Sequence, residues 1–142
     1  MKSDIVDVCT KRVSEINGDF ADMNGICEDE GIPYLYVNDI NSKESIDWIE
    51  SLTPNSIFCF GCPSLIRKQL LELAPMGVVG FHPTNFPRNR GWHPLIWALA
   101  LGMNSSESIF FLMGQGQMTA ILYHKRNLRY CMKIMLKRFI RK

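Results

Sequence analysis

The residues best suited to chemistry lie between Gly80 and Ala98, which read Gly80-Phe81-His82-Pro83-Thr84-Asn85-Phe86-Pro87-Arg88-Asn89-Arg90-Gly91-Trp92-His93-Pro94-Leu95-Ile96-Trp97-Ala98. Histidine titrates near neutral pH and can take or give a proton. Pro83, Pro87 and Pro94 restrict the backbone, and Gly91 permits a tight bend. A stiff loop carrying exposed His82, Thr84, Asn85 and arginines is expected to bind a ligand or move a proton. The bland alternative is a Pro-stiffened connector whose histidine is merely exposed. A second constellation, Cys59-Phe60-Gly61-Cys62-Pro63, has the C-x-x-C spacing of redox sites. Cys59 falls inside an apolar run, however, and no tryptophan neighbours it, so incidental cysteines are the expectation. His82, His93 and His124 lack the spacing of converging metal ligands, and no metal site is expected.

Elements must position that loop. Ile5 to Cys9 alternates as a strand. Asp19 is placed to cap a helix that runs to about Glu30 and closes at Gly31. Pro33 to Val37 is β-rich. Ser42 is the next candidate cap, with Ser45 three residues on in place of the Glu of a capping box, and Ile46, Ile49 and Leu52 share one face. Ile57 to Phe60 reads as a buried strand, and Pro63 opens a helix bearing Leu65, Ile66, Leu70, Leu71 and Leu73. Val78 to Phe81 is another buried strand. Leu95 to Leu101 reads as a helix stopped by Gly102, and Ser108 to Met113 as a last strand. Strands alternating with helices predict an α/β domain with a parallel sheet flanked by helices. Ligands of such sheets bind beyond the carboxyl ends of strands, which directs attention to the loop after Phe81.

The same segment resembles the signature of the formyltetrahydrofolate-dependent formyltransferases, the group that includes methionyl-tRNA formyltransferase and the sugar-nucleotide N-formyltransferases. The family pattern is a strand ending in Asn-x-His-Pro-Ser, then Leu-Pro-x-x-Arg-Gly, then Pro-Ile-x-Trp-Ala. The matches are His82, Pro83, Thr84 for Ser, Phe86-Pro87 for Leu-Pro, Arg90-Gly91, Pro94 and Trp97-Ala98. The resemblance covers about residues 5 to 113, and His-Pro-Thr with Trp-Ala-Leu-x-Leu-Gly is closer to the sugar-modifying branch. It implies a Rossmann-like domain that uses 10-formyltetrahydrofolate as formyl donor. It also implies His82 as a catalytic residue, with Pro83, Thr84, Phe86, Pro87, Arg90 and Gly91 approaching the donor. The implied acceptor is an amino-sugar nucleotide in preference to an aminoacyl-tRNA. The family's chemistry uses His, Asn and Asp. Only the first is kept; the Asn position is Gly80, as in related branches.

Both ends depart from the family. Its domain opens with a strand and helix that nothing before Ile5 supplies, so the sheet is expected to lack its usual first strand. After the last strand the family runs approximately Met-Asp-Glu-Gly-Ala-Asp-Ser-Gly-Asp-Ile-Ile-Ser-Gln, and the Asp after Ala is its catalytic carboxylate. Here the chain reads Met113-Gly114-Gln115-Gly116-Gln117-Met118-Thr119-Ala120-Ile121-Leu122-Tyr123-His124. Back-translated and read from the third base of each codon, the stretch from Gly116–Gln117 can encode Ala-Asp-Asp-Ser-Asp-Ile-Ile-Ser-Gln. Methionine has one codon, so Met118–Thr119 must give Asp and Met132–Lys133 must give Glu. One nucleotide lost near Gly116–Gln117 accounts for the whole tail. The expected organisation is therefore a partial folate-binding domain over residues 1–113, with 114–142 outside the native fold and the chain inactive.

Composition agrees with a folded chain and sharpens the oddity of its end. Of 142 residues, 46% are hydrophobic and 21% charged, which suits one globular domain and excludes a disordered polyelectrolyte. No apolar run reaches the roughly 20 residues of a membrane helix. Met1-Lys2-Ser3-Asp4 lacks a secretory pattern. Five cysteines without a disulfide framework favour the cytoplasm. The net charge of +2 hides an asymmetry. Glu107 is the last acidic residue, whereas Lys125, Arg126, Arg129, Lys133, Lys137, Arg138, Arg141 and Lys142 follow. Taken literally, that tail suggests a basic amphipathic helix for a membrane surface or nucleic acid, the non-enzymatic alternative. The reading-frame account explains the same residues more specifically, so neither a membrane nor a nucleic-acid partner is expected.

Overall fold

The computed structural model describes residues 4–14, 20–62, 64–84, 91 and 93–114, together with the backbone of 120–129. Residues divide into two units, one of Met1–Ile57 with Cys62–Gly77, the other of Phe58–Gly61 with Val78–Lys142.

In the first unit β1 (Val8–Thr10) and β2 (Tyr34–Tyr36) pair in parallel, Val8 opposite Tyr34 and Thr10 opposite Tyr36. Between them runs α1 (Asn24–Glu30). It closes as expected at Gly31, whose φ of 65° lets its N–H turn back to Glu28. Its start differs: Asp19 lies outside the described residues, and Asp22 Oδ1 instead accepts the Asn24 N–H at 3.1 Å. Next comes α2 (Lys43–Ser51), with Ser42 as its cap, accepting from the Ser45 N–H at 3.2 Å. Ile46 and Ile49 are buried, as their spacing predicts.

The helix expected from Pro63 begins later, as the four-residue α3 (Lys68–Leu71); Pro63 itself lies outside the described residues. The Asn41 side chain explains the delay. Its Nδ2 donates to the Leu65 carbonyl at 2.9 Å, and its Oδ1 accepts the Arg67 N–H at 2.8 Å. These bonds hold Arg67 extended, at ψ 162°. Cys27, Ile46, Ile66, Leu70 and Ala74 form this unit's core.

The other sheet has the order β3-β4-β5-β6: β3 (Ile57–Cys59), β4 (Val78–His82), β5 (Ser105–Met113) and β6 (Ala120–Arg129), with α4 (Pro94–Ala100) preceding β5. The expected α/β architecture, parallel pairing with flanking helices, is present. This sheet adds antiparallel pairs that the sequence reading did not include, β4 with β5 and β5 with β6. The connection over 114–119 is too short for a crossover, which forces β6 to run back along β5. Phe60, Phe81 and Phe110 pack together with ring centroids 5.1 to 6.2 Å apart. Ile57 to Phe60 is less buried than expected, with Phe58 62% exposed.

The basic stretch therefore differs from both expectations over 120–129. Instead of lying apart or coiling into an amphipathic helix, its backbone is a strand paired with β5 from Ser105–Arg129 to Met113–Ala120. An open edge of β5 offers a row of unpaired backbone groups, and a following β-capable segment satisfies them. Residues 130–142 lie outside the described residues.

Candidate functional site

His82 is the last residue of β4, opposite Ile109 of β5. The expected placement of a histidine at a strand's carboxyl end is therefore observed. Strand alternation puts Gly80 and His82 on one face with Ile109 and Phe111. Ile109 is fully buried and Phe111 nearly so, so the imidazole emerges beside an apolar wall. Its Nε2 is enclosed and has no hydrogen-bond partner among the described residues. Burial lowers the His82 pKa from its ordinary 6.5, because a low-dielectric setting disfavours the imidazolium. At neutral pH the ring is neutral and holds a lone pair that can accept a proton. The resolved cause is burial.

Gly80 occupies the position where the family pattern has Asn. A Cβ built there would lie 2.7 Å from Phe111 Cζ and 3.0 Å from Cε2. The Phe111 ring fills the space a side chain at 80 would need. The missing amide is thus part of the packing of β4 on β5, a cross-strand dependence the linear pattern does not reveal.

Beyond His82 the chain turns tightly, the Thr84 N–H donating to the His82 carbonyl at 3.0 Å. Thr84 was expected to be exposed; it is only 1% exposed. The turn folds it inward, and Pro83 beside it is half-buried. Phe86, Pro87 and Arg90 lie outside the described residues, as do Asn85 and Trp92. Gly91 is exposed with φ 133°. His93 adopts φ 55°, a left-handed conformation uncommon for a residue with a side chain, and Pro94 opens α4 behind it. The structure thus brings His82, Pro83 and Thr84 together at the strand end.

Other candidates fare differently. Cys59 is half-buried and Cys62 exposed. An open recess of about 640 Å³ is lined by Leu35, Lys43, Glu44, Asp47, Trp48 and Ser51. It contains none of the loop residues, and Lys43 there is already paired with Asp47, so the strand-end histidine is the stronger site. The sequence reading also passed over Arg12, Asp22 and Tyr36, which cluster where β1 and β2 end. No helix among the described residues is long and apolar enough to cross a membrane.

Comparison with known proteins fits this picture. No family model matches the chain. A methionyl-tRNA formyltransferase from Citrifermentans bemidjiense is 30% identical over 102 residues, 72% of this chain and 32% of that protein. The chain thus spans about a third of the length of that curated relative. The structure of phosphoribosylglycinamide formyltransferase from Bacillus halodurans superposes with a TM-score of 0.75 at 15% identity, covering 96% of this chain and 71% of that one. A formyltetrahydrofolate deformylase from Pseudomonas syringae gives 0.65 at 14% identity, covering 84% and 42%. A methionyl-tRNA formyltransferase from Clostridium thermocellum gives 0.60 at 20% identity, covering 87% and 52%. At those identities the structures establish the shared fold, and the 102-residue match adds the sequence relation. In sequence the chain is similar to a methionyl-tRNA formyltransferase, and in fold to formyltransferase and deformylase structures.

Proposed function

We propose that this chain is a formyl-transfer domain that takes its formyl group from 10-formyltetrahydrofolate and whose natural acceptor is the amine of an amino-sugar nucleotide. The observation that carries the reading is His82, a neutral imidazole with an enclosed Nε2 at the carboxyl end of β4. The acceptor amine attacks the formyl carbon, and negative charge builds on the formyl oxygen. His82 takes the proton that the amine sheds. The bond from the formyl carbon to N10 then breaks, and the proton passes to the departing nitrogen. Pro83, Thr84, Phe86, Pro87, Arg90 and Gly91 would shape the donor end of the site. The preference for an amino-sugar nucleotide rests on His82-Pro83-Thr84 and on Trp97 to Gly102.

The same reading makes the chain a poor catalyst. An oxyanion donor is absent at Gly80, and losing one typically costs about 10² to 10³ in rate. The carboxylate that would orient the histidine is also missing, and such a loss costs up to about 10⁴. The two are not simply additive. A lost nucleotide near Gly116–Gln117 accounts for the missing Asp, and 114–142 is then out of frame. The test compares formyl transfer to an amino-sugar nucleotide by the 142-residue chain and by a version with one nucleotide inserted at the Gly116 codon and the downstream gene retained. Negligible transfer is expected from the first and recovery in the second, given the upstream strand in frame. Equal and substantial activity from both would remove the reading-frame argument.

A further inference from the structure

The carboxyl ends of β1 and β2 hold a cluster that the formyl-transfer loop does not use. Arg12 follows two residues after the end of β1, and Tyr36 ends β2. The Arg12 guanidinium carbon lies 4.6 Å from the Tyr36 ring centroid. That ring is itself fixed. Its hydroxyl donates to Asp22 Oδ2 at 2.8 Å, while Asp22 is tied through Oδ1 to the start of α1. Tyr34 meets the ring edge-on with centroids 5.5 Å apart, and its own hydroxyl donates to Glu28 Oε1 at 2.8 Å. Tyr36 is thus a braced platform, and the guanidinium above it starts with restricted freedom.

A guanidinium stacked on an aromatic face keeps its N–H edges available. Those edges form the planar fork that matches two oxygens of a phosphate. Arg12 is exposed, and no ion pair among the described residues engages it. Asp22 meets the ring at its hydroxyl end, away from the face that carries the cation. Lys11 adds a second positive charge next in sequence. The location matters as well, because loops beyond the carboxyl ends of parallel strands are where ligands of α/β sheets bind.

We infer that Arg12, held on Tyr36, forms a binding site for a phosphoryl group. The chemistry recognised is a phosphate ester, supplied either by the diphosphate of a nucleotide sugar or by a sugar monophosphate.

Titration calorimetry on the 142-residue chain tests this with uridine diphosphate, ribose 5-phosphate and a stable folate analogue as separate ligands. Arg12→Ala is expected to weaken uridine diphosphate or ribose 5-phosphate about tenfold and leave the folate analogue unchanged. The ligand that responds identifies the diphosphate or the monoester as the source. Arg12→Lys should recover only part of the loss, because an ammonium keeps the charge without the fork, and it serves as a folded control. Phosphate binding that depends on Arg12 without folate binding would support the subsite and remove the formyl-transfer reading. Folate binding without phosphate binding would overturn the subsite alone. Unchanged phosphate affinity in Arg12→Ala, or an equal loss for the folate analogue, would also overturn it.

Discussion

Gly80 and Phe111 form a pair whose meaning is invisible in either residue alone. The ring approaches so closely that any Cβ at 80 must displace it, and overpacking of this kind costs about 1–3 kcal/mol. Placing an amide there by Gly80→Asn should therefore lower the denaturation midpoint, and should lower it less in a Phe111→Ala background than in the wild type. Equal midpoints for the wild type and the single variant would show that the ring yields freely. His82 makes a prediction about pH. Burial lowers its pKa from 6.5, so the unfolded chain binds the proton more readily than the folded one. Stability from this group is complete above 6.5 and is lost as pH falls from there through the folded value. Urea midpoints at about pH 7.5 and about pH 5 should differ more for the wild type than for His82→Gln. An identical acid response in the two would mean that His82 titrates alike in both states.

At the scale of elements, side chains that reach other segments decide where helices begin. Ser42 caps α2 where the sequence placed it, because its partner, the Ser45 N–H, lies three residues away. Asn41, by contrast, delays α3 from more than twenty residues upstream by bonding at Leu65 and Arg67, and no local pattern marks it. The β6 strand belongs to this scale too. It covers β5 along its full length, from Ser105 to Met113. A chain ended after Gly114 would leave β5 with a bare edge, a ready template for pairing with another chain. Such a chain should melt at lower temperature and self-associate in size-exclusion chromatography with light scattering. A monomer of undiminished melting temperature would show that β6 adds nothing to the fold.

Over the whole molecule, the division into two units follows interactions that cross long stretches of sequence. Cys62–Gly77 belongs with the first 57 residues, whereas Phe58–Gly61 belongs with the strands after Val78. Asn41 ties 65–67 to the first unit. Phe60 instead packs with Phe81 and Phe110 in the other. The chain passes between the units after Ile57, Gly61 and Gly77, and no shift in composition announces these crossings. The candidate histidine and the Arg12 cluster fall in different units, each at the end of a strand.

Much of this was legible in the residues themselves. The alternation of apolar runs marked β1, β2, β4 and β5, the Ser42 cap and the Gly31 stop bounded helices, and His82 followed by Pro83 located the strand-end site. These features depend on contacts within a few residues, so local sequence carries them. What only the tertiary structure decided involves partners far apart in the chain. The antiparallel run of β4, β5 and β6, the inward turn of Thr84, the ring of Phe111 over Gly80 and the guanidinium of Arg12 over Tyr36 are all of this kind. Each depends on which backbone groups and faces remain unsatisfied once the local elements have formed. A pairing partner is selected by proximity and register, and neither is encoded at a fixed spacing along the chain.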